Sequence, residues 1–78
     1  MMTKNREMVL GSLFAAGGPL TANDLSAAAP SRVRLKSEWA YPSLRWGVAQ
    51  GYIKTVGATK GFTEYQITQA GRLQLGAI

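Results

Sequence analysis

One run of residues limits the fold more than any other: Ser37 to Ile53, SEWAYPSLRWGVAQGYI, in which a helix and its stop stand directly against the start of a strand. Gln50-Gly51 ends a helix, because glycine takes the left-handed conformation that closes a helix C-terminus. Tyr52-Ile53-Lys54-Thr55-Val56 is aromatic and β-branched, the composition of a strand. Counted from Ser37 at about 100° per residue, Ala40, Leu44, Gly47 and Val48 fall on one side, and Trp39, Pro42, Trp46 and Gln50 on the other. The first side is expected to meet a core and the second a ligand. Pro42 lacks an amide hydrogen and disfavours helix at Tyr41. Either the helix begins at Ser37 and kinks, or its regular part begins with Pro42 and residues 37–41 form a turn.

The segments upstream read as two further helices. Val9, Leu10, Leu13 and Phe14 have the i, i+1, i+4, i+5 spacing of one buried helical face, with Thr3 as N-cap and Gly17-Gly18-Pro19 as stop. Lys4 and Arg6 ahead of an apolar stretch ending Ala-Ala-Gly imitate a secretory signal. Glu7 interrupts the charged part, however, and Gly11 and Ser12 the apolar part. Thr21 caps a short second helix with Asp24 reaching back, Leu25, Ala28 and Ala29 give it a narrow apolar face, and Pro30-Ser31 closes it. Arg32-Val33-Arg34-Leu35-Lys36 then alternates basic and apolar residues, which in an extended chain sets three cations on one side.

Downstream, residues 57–61 form a glycine-bounded loop, and Tyr65 and Ile67 share a face at period two in the strand that follows. Thr68 caps a last helix, Gln69 to Leu75, closed by Gly76. The expected core is Leu13, Phe14, Leu25, Leu44, Val48, Ile53, Tyr65 and Ile67.

Composition narrows the chemistry. The 78 residues suffice for a single domain, 1–78, with one small core. Without Cys or His the chain has no disulfide, thiol nucleophile, histidine base or Cys/His zinc site. The carboxylates Glu7, Asp24, Glu38 and Glu64 are spread over different segments and make no evident catalytic pair. The glycine loop lacks the Gly-Lys-Ser/Thr of a phosphate cradle. No enzyme activity, metal or cofactor is therefore expected, and no stretch approaches the ~20 apolar residues of a membrane span. Nine Lys and Arg against four Asp and Glu give a net charge of +5, which favours a polyanionic partner.

Two motifs carry a family resemblance. Tyr41-Pro42-Ser43-Leu44-Arg45, followed after five residues by Gly51-Tyr52-Ile53, resembles the Tyr-Pro-x-Leu-Arg…Gly-Leu-Ile segment of PadR-type transcriptional regulators. Tyr65-Gln66-Ile67-Thr68-Gln69-Ala70-Gly71-Arg72, with Leu75 beyond, is similar to the Tyr-x-Leu-Thr-x-x-Gly-Arg-x-x-Leu that closes the wing there and in MarR-type relatives. The resemblance implies an α+β, small winged helix-turn-helix: three helices, a two-stranded β-hairpin wing and a short C-terminal helix. Gly47 stands where the family has a second core leucine, leaving Val48 and Trp46 to fill the volume. Those regulators continue into long helices that pair subunits. This chain ends at Ile78, and the expectation is a monomer or weak dimer.

The expected function is binding of double-stranded DNA, as a small transcriptional or mobile-element regulator in the cytoplasm or on the nucleoid. A helix about 10–12 Å wide fits the major groove. Arg32, Arg34, Lys36, Lys54 and Lys60 would flank it on the backbone, with Ser37, Trp39, Trp46 and Thr59 on the same surface, and Ser43, Arg45 and Gln50 would read bases. The alternative is a protein-interaction module, or a weak homodimer, anchored on Trp39 and Trp46.

Overall fold

A computed structural model of the protein describes residues 2–29, 31 and 38–76. Helix α1 (Lys4–Ala16) starts where the Thr3 hydroxyl accepts the Arg6 amide at 3.2 Å, and stops at Gly17, φ 68°. Val9, Leu10 and Leu13 are buried, but Phe14 is 44% exposed, a correction to its expected core role. The three buried side chains span about 100° of the helix, and Phe14 lies about 40° beyond that arc. Met8, on the opposite flank, packs against the core instead.

The chain then enters β1 (Leu20–Thr21) and α2 (Ala22–Leu25), which continues as a 3₁₀ turn, Ser26–Ala28. A capping box closes the start of α2: the Thr21 hydroxyl accepts the Asp24 amide at 3.1 Å, and the Asp24 carboxylate accepts the Thr21 amide at 3.0 Å. Each bond satisfies a backbone donor that the first helical turn leaves open. The expected extended connector with Arg32, Arg34 and Lys36 lies outside the described residues, as does Ser37.

Helix α3 (Tyr41–Gln50) follows a turn in which the Tyr41 amide donates to the Glu38 carbonyl at 3.2 Å. Pro42 is its second residue, where a missing amide hydrogen costs no helical bond. Of the two expectations, the helix that starts close to Pro42 is the nearer. Its end at Gly51, φ 80°, is closed by the Tyr52 amide on the Gly47 carbonyl at 2.8 Å.

The hairpin is longer than expected and its loop shorter. Strands β2 (Ile53–Thr59) and β3 (Phe62–Ile67) pair antiparallel from Ile53↔Ile67 to Thr59↔Phe62. Only Lys60 (φ 53°) and Gly61 (φ 84°) form the turn; two successive positive φ angles give the type I′ geometry that matches strand twist. Between the pairs Thr55↔Tyr65 and Gly57↔Glu64, Val56 is an extra residue, a bulge. The sheet has three strands where two were expected, because β1 pairs with β3 through Leu20↔Tyr65 and Thr21↔Glu64, giving the order β1-β3-β2.

Helix α4 (Gln69–Leu75) is capped by Thr68, whose hydroxyl accepts the Gly71 amide at 3.1 Å. Gly71 is buried, and a Cβ there would run into the Tyr52 carbonyl and the Ile67 side chain. The described residues thus form an α+β domain of four helices, a 3₁₀ turn and a three-stranded antiparallel sheet.

Its core joins Val9, Leu10, Leu13, Ala22, Leu25, Trp39, Ala40, Leu44, Ile53 and Ile67. Tyr65 is half-buried against this cluster, and Val48 is 42% exposed, so Val48 leaves the expected core. The volume at Gly47 is filled by Ile53, since a Cβ on Gly47 would meet Ile53 Cγ1 at 2.7 Å. Among the described residues, every buried side-chain nitrogen and oxygen has a hydrogen-bond partner.

Candidate nucleic-acid interface

The buried side of α3 runs through Ala40, Ser43, Leu44 and Gly47. Compared with the expected grouping, the helix is rolled by about 35° toward Ser43. Small residues at 40, 43 and 47 let α1 and the start of β2 come close, and Ile53 over Gly47 fixes the roll. The outward side is therefore a ridge of Pro42, Arg45 and Ala49, all exposed, with Val48 on the flank facing the hairpin.

Between that flank and the sheet lies a groove lined by Arg45, Val48, Ala49, Thr55 and Tyr65. Thr55 and Tyr65 are partners in the ladder, so one face of the hairpin forms the far wall. Tyr65 also lines a second hollow with Ala22, Tyr41, Gly61, Phe62 and Thr63, which carries the depression from the start of α3 toward the hairpin turn.

The expected site residues divide accordingly. Arg45 stands at the groove, and Thr59 and Lys60 are exposed at the hairpin tip. Trp39 and Ser43 are 7% and 5% exposed, which removes both from the contact surface. The Trp39 indole points inward because its Nε1 donates to the Leu25 carbonyl at 3.1 Å, closing the end of α2. Lys54 is exposed but alternates with Thr55, so it projects from the sheet face opposite the groove.

Trp46 is half-buried on the α1 side of α3, with the Arg6 guanidinium 4.6 Å from its ring centroid and Tyr52 edge-on at 5.3 Å. Gln50 is exposed about 40° from Trp46 around the helix, away from the groove. Because Trp39 is in the core, Trp39 and Trp46 do not make an exposed pair, which corrects the basis of the protein-interaction alternative. Val48, Ala49, Thr55 and Tyr65 line the groove but are not among the expected site residues. The period-two spacing of Thr55 from Ile53 is the signal for Thr55, while the apolar character of Val48 suits a core position equally well.

Charge is uneven around the site. Lys60 shares a third hollow with Asp24 and Glu64, so the hairpin tip is not uniformly cationic. One of those carboxylates is already committed, since Asp24 accepts the Thr21 amide. Arg45 has no carboxylate among the groove residues. Three of the nine cations fall in the five residues 32–36, close ahead of α3 in the chain. No helix among the described residues is long and apolar enough to cross a membrane.

No protein-family model matches the chain, and neither a curated protein nor a solved structure does.

Proposed function

We propose that this chain is a winged helix-turn-helix domain that binds double-stranded DNA, with α3 in the major groove and the β2–β3 hairpin as the wing beside it. The observation that carries the reading is the pairing of an outward α3 ridge bearing Arg45 with a hairpin wall one groove away. A helix laid in the major groove presents one side to base edges, while neighbouring elements meet the phosphates. Support comes from the order of elements, from the net charge of +5, and from the cations at 32, 34 and 36 just upstream of α3. The PadR-like motifs point the same way: Leu44 is buried, Thr68 caps α4, and Arg45 is left outward. In this reading the protein is a small regulator of transcription or of a mobile element, acting in the cytoplasm.

The deciding experiment is a titration of the full chain against mixed-sequence duplex DNA at two salt concentrations. Counterion release makes log affinity fall linearly with log salt, by about 0.9 per phosphate neutralised. A slope of several units is expected. Absence of binding at low ionic strength, or affinity indifferent to salt, would remove the proposal.

A further inference from the structure

The outward side of α3 has few hydrogen-bonding groups for a surface that would read bases. Ser43 is buried and Gln50 sits about 40° beyond Trp46 around the helix, which leaves Arg45 as the polar side chain on the ridge. Around it stand Pro42 and Ala49, both exposed, and Val48, 42% exposed at the groove. In the major groove the apolar group that a base pair presents is the C5 methyl of thymine.

Resting on the DNA-binding reading, we infer that Val48 and Ala49 recognise thymine methyl groups, about two base pairs from a guanine held by Arg45. The spacing follows from the helix: Arg45 and Ala49 are four residues apart, about 6 Å along the axis, and base pairs repeat every ~3.4 Å. Arg45 supplies the bidentate donor that fits guanine O6 and N7. Val48, set back toward Thr55 and Tyr65, adds a second methyl-bearing contact on the wing side.

The test starts by selecting the preferred site of the full chain from a random duplex pool. Affinity is then compared for that duplex and for the same duplex with uracil in place of every thymine, which deletes only the C5 methyl groups. A fixed thymine about two base pairs from a fixed guanine is expected, and binding about fourfold weaker for each contacted methyl removed. Val48→Ala and Ala49→Ser, both at exposed positions, should shrink the thymine-over-uracil ratio. Arg45→Ala should abolish the guanine preference and keep that ratio. Equal affinity for the two duplexes with salt dependence intact overturns the methyl reading and leaves DNA binding standing. So does a ratio that neither Val48→Ala nor Ala49→Ser changes. Failure to bind either duplex in a salt-dependent way removes both readings together.

Discussion

The hydroxyl of Thr68 donates to the carbonyl of Gly51 at 2.6 Å while accepting the Gly71 amide at 3.1 Å, so one side chain joins the end of α3 to the start of α4. The backbone repeats the link, with the Thr68 amide on the Tyr52 carbonyl at 2.9 Å. Thr68→Val keeps the volume and deletes the cap and the tie. It should lower stability by about 1–2 kcal/mol, read as a fall in the denaturation midpoint with the slope unchanged.

Glycines within helices should respond with opposite signs. Gly11 in α1 has open space where a Cβ would be, and Gly11→Ala should stabilise by about 0.5–1 kcal/mol through helix propensity. Gly47→Ala gains the same propensity but drives a methyl into Ile53, and overpacking of this kind costs about 1–3 kcal/mol. Thermal denaturation of the two variants in one buffer checks the sign of each. A stabilised Gly47→Ala would mean that Ile53 does not fix the roll of α3.

Leu44 is fully buried at the centre of the core, and Leu44→Ala should cost about 2–5 kcal/mol. Phe14→Ala, at a position 44% exposed, should cost far less. Urea unfolding of the pair measures whether the buried arc of α1 ends before Phe14.

The turn offers a way to change charge without disturbing shape. Lys60 has a positive φ, which asparagine tolerates well, and Asn-Gly is the preferred type I′ pair. Lys60→Asn should therefore melt no lower than the parent. If the tip meets phosphate, the same variant lowers the slope of log affinity against log salt by about one unit. Glu64→Gln, which removes a carboxylate from the hollow around Lys60, should raise DNA affinity at low salt.

Features decided within three or four residues could be read from the sequence. Thr3, Thr21 and Thr68 were each expected as N-caps, and each hydroxyl accepts a helix amide. The stops at Gly17, Gly51 and Gly76 hold for the same local reason: each glycine has a positive φ. Features that depend on packing across the chain were not legible. Two residues of β1 carry no period, and they become a strand only because β3 lies alongside. The roll of α3 depends on Ile53 filling the space over Gly47, which moved Val48 outward and Ser43 inward. Helical spacing puts Trp39 on the ligand side, whereas its indole is drawn inward by a partner 14 positions away, the Leu25 carbonyl.

The bulge at Val56 bears on the exposed edge of the sheet. In the order β1-β3-β2, strand β2 has one edge along Ile53–Thr59 that no other strand among the described residues pairs with. A straight strand of that length is a template on which a second chain can extend the sheet and seed aggregation. The extra residue sets the amides on its two sides out of phase, so an incoming strand can match only about three residues before losing register. The same residue that bends β2 therefore shortens the stretch of edge on which a second copy could add a strand.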